Sequence, residues 1–242
     1  MIAKSEVLVV IPAYNEMATV AQVVRDVQGE GFTVLVIDDG STDATSVIAH
    51  DAGAQVLTLP INVGVGGALR AGFRYAVENN YRAVIQCDAD GQHLSMHLPD
   101  LLIAANQSSA DMVIGSRFKS ESQSMKVSAT RRLVMRCLAG IATRATKEKI
   151  TDVTLGFRVI TQPLLAEFAG SFPAYYLGDT FEAVVVAGRA GYKVEEIGTT
   201  IAPRLIGSST ATSAQSVGMI AKSLILTIFK IHFRIRNKSS HI

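Results

Sequence analysis

Two aspartates one residue apart, Asp88 and Asp90, follow a short apolar run in Cys87-Asp88-Ala89-Asp90-Gly91-Gln92-His93. In a turn, side chains at positions i and i+2 can face one ligand. Carboxylate oxygens are hard ligands that suit Mg²⁺ or Mn²⁺, ions that also take oxygens from a substrate diphosphate. A divalent ion acting as a Lewis acid neutralises the charge that develops on a departing nucleoside diphosphate. Gln92 adds a neutral oxygen two residues on, and His93 is a further candidate ligand. By itself an Asp-x-Asp at a strand end is more often a cap or a turn. A second acidic segment, Asp38-Asp39-Gly40-Ser41-Thr42-Asp43, raises the weight of the first. Asp-Gly is a turn signal, and a carboxylate in such a turn can accept hydrogen bonds from a ribose or a base edge.

The elements that must position these residues are legible as apolar runs. Val7 to Ile11 is short and continuously apolar, the pattern of a strand covered on both faces, and it ends at Pro12-Ala13-Tyr14-Asn15-Glu16. Strands are also predicted over Thr33 to Ile37, Gln55 to Leu59 and Ala83 to Gln86, with helices over Thr19 to Gln28, to His50 from an N-cap at Asp43, and over Ala68 to Asn79. This alternation predicts an α/β domain with a mostly parallel sheet. Its polar motifs follow the carboxyl ends of the strands, the edge where open α/β sheets bind ligands. Further on, helices are predicted over Leu98 to Ala105, Ala129 to Ala145 and Phe181 to Arg189. Strands are predicted over Met112 to Ile114, Phe157 to Ile160 and Lys193 to Ile197, and loops over Lys119 to Lys126 and Ala202 to Ser216.

The bulk composition narrows the class. With 242 residues, 48% hydrophobic and 18% charged, the chain can bury a large core and is not disordered. A net charge of +2 gives no reason to expect nucleic-acid binding. The two cysteines, Cys87 and Cys137, have no CxxC context, so neither a disulfide nor a zinc site is expected and a reducing cytoplasm fits. Met1 to Glu6 is charged and is followed by only five apolar residues, so a first strand is expected there rather than a signal peptide. No run reaches the ~18–20 apolar residues of a membrane span.

Taken in order, the motifs resemble those of family 2 glycosyltransferases. Val9-Val10-Ile11-Pro12-Ala13-Tyr14-Asn15-Glu16 resembles the family's opening, and Asp38 to Asp43 its second motif. Asn62-Val63-Gly64-Val65-Gly66-Gly67-Ala68-Leu69-Arg70-Ala71-Gly72 and Asp88 to His93 look like the next two. Gly115-Ser116-Arg117-Phe118 and Asp152-Val153-Thr154-Leu155-Gly156-Phe157-Arg158 extend the match, which covers roughly residues 6 to 210. The branch it suggests is the polyprenyl-phosphate (dolichol-phosphate-type) hexosyltransferases.

The resemblance implies a GT-A fold, a single Rossmann-like domain, and inverting transfer of one hexose from a UDP- or GDP-linked sugar. Pro12, Ala13, Tyr14, Glu16, Asp39 and Gly66 would hold the nucleotide sugar with Asp88. Asp88, Asp90 and Gln92 would sit at the Mg²⁺ or Mn²⁺ and the diphosphate. Arg117 and Arg131 would meet phosphate oxygens of donor and acceptor, work for which the planar, always charged guanidinium is suited. Each is otherwise a solvated surface charge. Three departures stand out: Val65 where many members carry Lys, Thr210 after Arg204-Leu205-Ile206-Gly207-Ser208-Ser209 where many continue with Lys, and no tryptophan, hence no Gln-x-x-Arg-Trp signature of processive synthases.

A hydroxyl acceptor would need a carboxylate base, for which Asp179 and Glu182 are the candidates. A polyprenyl phosphate is already anionic and needs positioning and charge control instead. Asp179 is then a base, an orienting group for Arg117 or a sugar hydroxyl, or only a helix cap. Met219 to Arg236 mixes Ile, Leu and Phe with Lys222, Lys230, Arg234 and Arg236, with Lys238 beyond. Such a helix can rest on an anionic bilayer, or pack on the core or on a second copy. The expected division is a catalytic domain over residues 1–215 and a basic amphipathic helix and tail over 216–242. The expected location is the cytoplasmic face of the membrane, with a homo-oligomer allowed. The alternatives are a soluble transferase acting on a small hydroxyl acceptor, a sugar-phosphate nucleotidyltransferase, and a non-catalytic nucleotide-sugar-binding module.

Overall fold

The structure is a computed structural model that describes residues 1–119, 129–173, 178–202 and 235–241; side chains of 129–133, 178, 179, 240 and 241 are not described. Seven strands form one sheet: β1 (Val7–Ala13), β2 (Thr33–Asp38), β3 (Gln55–Thr58), β4 (Ala83–Gln86), β5 (Met112–Ser116), β6 (Arg158–Thr161) and β7 (Val194–Gly198). Their order is β3-β2-β1-β4-β6-β5-β7. Every neighbouring pair is parallel except those made by β6, which runs antiparallel to both β4 and β5.

The helices are α1 (Val20–Gly29), α2 (Thr45–Asp51), α3 (Val65–Glu78), α4 (Leu98–Ser108), α5 (Ala129–Thr146), α6 (Leu164–Ser171) and α7 (Ala183–Arg189). They cover both faces of the sheet, which explains the unbroken apolar strands. In β1, Val7, Val9 and Ile11 pack with Val20, Val24 and Leu101 of α1 and α4, while Leu8 and Val10 pack with Leu69, Phe73 and Phe168 of α3 and α6. Each such burial contributes about 1.5–3 kcal/mol, so a one-residue shift of β1 would exchange its two faces.

Several element ends differ from the sequence reading. The N-cap of α2 is Ala44, not Asp43. Asp43 sits one position earlier and accepts hydrogen bonds from the Thr45 backbone N–H at 2.9 Å and from the Thr45 hydroxyl. Helix α3 starts at Val65 rather than Ala68, so Gly66 and Gly67 are buried in its first turn. Helix α6 was not expected. It starts after Pro163 and buries Leu164, Leu165, Phe168 and Ala169, a helical spacing that the short length of the segment conceals. The predicted helix at Phe181 begins as a π-type turn, Gly178–Glu182, before α7.

The chain also returns to the domain after residue 234. Ile235 packs against the core, the Arg236 N–H donates to Glu167 at 2.8 Å, and the Lys238 ammonium meets buried Asp111 at 2.8 Å. Residues 235–241 are therefore fastened to the same body as β5 and α6. The loop over Ala202 to Ser216 lies outside the described residues beyond Ala202, as does the predicted basic helix up to residue 234.

Candidate active site

Because β1, β2 and β4 are parallel neighbours, their carboxyl ends open on one edge. Pro12 and Ala13 are the last residues of β1, opposite Ile37 and Asp38 of β2. The two segments that follow are stitched together. The Asn15 N–H donates to the Ser41 hydroxyl at 2.9 Å, the Thr42 N–H to the Asn15 side-chain oxygen at 2.9 Å, and the Glu16 N–H to the Thr45 hydroxyl at 2.9 Å. Glu16 accepts from the Thr19 hydroxyl at 3.1 Å, and Tyr14 stands exposed at the rim. Gly40 makes the turn possible: its φ is +71°, and a Cβ there would lie 2.8 Å from the Ile61 backbone.

Asp39 is buried and binds a third segment. One carboxylate oxygen accepts the Val63 N–H at 2.8 Å, the other the Gly64 N–H at 2.9 Å. Burial pushes its carboxyl above the ordinary 3.8, the two amides pull against that, and the neighbouring Asp38 charge adds to the rise. Asp39 thus shapes the loop entering α3, and through it places Gly66.

After β4 the chain turns through Asp88 and Asp90. Asp88 has a 40% exposed side chain, while Asp90 is buried and its carboxylate accepts the Gln92 N–H at 3.0 Å. His93, a candidate ligand from sequence, has another place. Its Nδ1 accepts the Asp88 N–H at 3.0 Å, which leaves the ring proton on Nε2, facing the Asp88 carboxylate at 3.6 Å. The ring is buried and stacked on Phe157. A ring held in this way is a support for Asp88 rather than a ligand. Its neighbours tie the turn to the end of β7: Gln92 C=O accepts the Ala202 N–H at 3.0 Å, and His93 bridges Ile201. Cys87 is fully buried, and burial with the Asp88 and Asp90 charges holds its thiol well above the ordinary range.

The donor set of this turn fits a hard divalent cation. Two carboxylates and an amide oxygen lie within five residues of chain at the ligand edge. Among the described residues no group of three or more His, Cys, Asp or Glu is placed to hold a metal ion by itself. Such a set suits an ion that fills its shell with substrate phosphate oxygens, as Mg²⁺ commonly does.

Arg117 follows β5 and is only 14% exposed. Its Nε and Nη2 donate to the two carboxylate oxygens of fully buried Asp152 at 2.7 and 2.9 Å, and Nη2 also to the Thr154 hydroxyl at 2.6 Å. Asp152 is held in turn by buried Glu196 of β7, which accepts the N–H groups of Asp152 and Thr151 at 2.7 and 2.8 Å and the Thr151 hydroxyl at 2.8 Å. Sequence reading singled out neither carboxylate as a partner for Arg117. An Asp in Thr-Asp-Val-Thr and a Glu in a strand carry no signal of mutual contact across more than forty residues.

It also passed over Arg158, the first residue of β6 and the largest wholly buried side chain. Arg158 donates from Nε to the Gln86 side-chain oxygen at 3.0 Å and reaches the Thr180 C=O from Nη1 at 3.5 Å. Of the other expected groups, Arg131 lies in α5 and Asp179 in the Gly178–Glu182 turn, with their side chains outside the described set, as is the segment Arg204 to Thr210. Glu182, the alternative base, is buried.

A parallel-sheet edge with an acidic turn after one strand and a buried carboxylate after another defines an open α/β protein with its ligand-binding edge at the carboxyl ends of β1, β2 and β4. Comparison with known sequences and structures makes this specific. The sequence model for glycosyl transferase family 2 matches residues 8–168. An undecaprenyl-phosphate mannosyltransferase from Micrococcus luteus is 29% identical over 235 residues, 90% of this chain and 91% of that protein. A polyprenol monophosphomannose synthase from Mycolicibacterium smegmatis is 29% identical over 222 residues, covering 84% and 79%. Glucosyl-3-phosphoglycerate synthase from Mycobacterium tuberculosis, solved with Mn²⁺, UDP-glucose and phosphoglyceric acid, superposes with a TM-score of 0.67 over 93% of this chain and 78% of that one, at 20% identity. The fold is GT-A. The chain belongs to glycosyl transferase family 2 and is a glycosyltransferase.

Proposed function

We propose that the protein transfers one hexose, with inversion, from a UDP- or GDP-linked sugar to a polyprenyl phosphate at a membrane surface. The observation that carries the reading is the convergence on one sheet edge of the Asp88–Asp90 turn and the Asp39-held loop. The names of the Micrococcus and Mycolicibacterium relatives supply the acceptor class.

In this reading Pro12, Ala13, Tyr14, Glu16, Asp39 and Gly66 surround the nucleoside and its sugar. Asp88, Asp90 and Gln92 hold a Mg²⁺ or Mn²⁺ ion that, when bound, stabilises charge on the leaving diphosphate. An acceptor phosphate oxygen attacks the anomeric carbon, a C–O bond forms on one face, the bond to the diphosphate breaks on the other, and the electron pair leaves with the nucleoside diphosphate. No proton need be removed from an anionic acceptor, so the work left to the protein is alignment and charge control. Arg117, aimed by Asp152, and Arg131 serve the phosphates. Asp179 orients the acceptor side or takes a proton where the acceptor is a hydroxyl. The basic, apolar stretch from Met219 toward Arg236 supplies peripheral contact with the cytoplasmic face, while Lys238 beyond it is held to the domain by Asp111; among the described residues no helix is long and apolar enough to cross a membrane.

The test is incubation of the protein with labelled UDP- and GDP-sugars, Mg²⁺ or Mn²⁺, and polyprenyl phosphate, followed by phase partition. Label in the organic phase is expected. Label only in a water-soluble product with a small hydroxyl acceptor would move the assignment to the soluble alternative.

A further inference from the structure

Arg158 is a guanidinium with no solvent exposure, placed in β6 between β4 and β5. Arginine stays charged in proteins, and a buried charge persists only where its donors are satisfied. Two of its acceptors lie on different elements. Nε donates to Gln86, the last residue of β4 and two residues ahead of Asp88, at 3.0 Å. Nη1 reaches the C=O of Thr180, in the turn that carries Asp179, at 3.5 Å.

Gln86 is itself buried. Close to it lies Gly156, where a Cβ would come within 2.7 Å of Gln86 Nε2 and 3.4 Å of an Asp88 carboxylate oxygen. Gly156 therefore lets the chain lie against both groups at once. Arg158 thus bonds Gln86 and the Thr180 carbonyl directly, and the bare Gly156 backbone leaves room beside both Gln86 and Asp88.

We infer that Arg158 is a positioning residue for the transfer step: it fixes the Gly178–Glu182 turn on the acceptor side relative to the Asp88 turn on the donor side. This rests on the functional reading above, in which those two turns serve acceptor and donor. A lysine at the position keeps the charge but loses the planar fork that spans two partners, and a glutamine loses both. Because alignment acts on the reacting geometry and not on nucleotide contacts, kcat falls while donor KM holds. A small misplacement of reacting groups costs about a hundredfold in rate.

The experiment measures kcat and donor KM for transfer to polyprenyl phosphate by wild type, Arg158→Lys and Arg158→Gln, with nucleotide-diphosphate binding in Mn²⁺ followed by thermal shift. The expected result is a kcat loss of about a hundredfold for Arg158→Gln, an intermediate loss for Arg158→Lys, and unchanged donor KM and nucleotide binding. Should Arg158→Gln fail to fold, Arg158→Lys decides the matter by the same split. Wild-type kcat in whichever variant folds, or equal damage to kcat, KM and nucleotide binding, overturns the inference while leaving the functional reading intact. Absence of lipid product from the wild-type protein removes both.

Discussion

Arg117 donates to both carboxylate oxygens of Asp152, from Nε at 2.7 Å and from Nη2 at 2.9 Å, and Asp152 is wholly buried. A cation that sequence alone would leave in solvent is thereby aimed by an anion that water does not reach. Glu196 fixes the backbone of Asp152 from the next strand but one, so the guanidinium inherits the rigidity of the sheet.

Removing that anion is expected to be costly in two ways. Asp152→Ala leaves a part-buried guanidinium unpaired and should destabilise the fold by about 3–5 kcal/mol. In a double-mutant cycle with Arg117→Ala, the coupling read from denaturant midpoints should be about 1–3 kcal/mol. Strict additivity of the two substitutions would mean the pair does no joint work. Asp152→Asn, which keeps the shape, should lower kcat at least about tenfold, the factor that 1.36 kcal/mol of lost alignment represents.

His93→Phe separates the two tasks of that ring. The phenyl ring keeps the stacking on Phe157 but cannot accept the Asp88 N–H. The lost acceptor leaves a part-buried donor without its partner, a cost of about 1 kcal/mol. Weaker binding of the nucleotide diphosphate with Mn²⁺ should accompany it, read by titration calorimetry. Undiminished nucleotide affinity would show that Asp88 needs no support from His93.

The carboxyl of Asp39 provides a pH test. Its folded-state pKa lies above the ordinary 3.8, first because burial disfavours the charge. A raised acid stabilises the fold fully when protonated, below the ordinary value, and that contribution disappears as pH rises through the raised one. Asp39→Asn has no such titration. The melting temperature of wild type minus that of Asp39→Asn is therefore expected to grow as pH falls from about 7 to about 4. A difference that shrinks over that range contradicts the raised value.

The donor half of the site was legible in the sequence for a physical reason. Strands β1, β2 and β4 are buried on both faces and so read as unbroken apolar runs, and the polar residues that interrupt them mark the ligand edge. Supports formed between distant segments were not legible. Arg158, read as a charge, suggests solvent, yet it lies wholly buried in the sheet, where Gln86 and the Thr180 carbonyl are among the acceptors of its guanidinium. His93 reads as a ligand by type and spacing, but its ring is committed to the Asp88 backbone. Lys238 reads as part of a free basic tail, whereas Asp111 holds it against the domain.

The assignment of the acidic turn to the metal–diphosphate site is the centre of the account, and Asp90 tests it most directly. Transfer of labelled sugar to polyprenyl phosphate is measured for wild type and Asp90→Ala with saturating Mg²⁺ or Mn²⁺, alongside melting curves that establish folding. Wild type should label the lipid and folded Asp90→Ala should not. Near-normal transfer by Asp90→Ala would contradict the account.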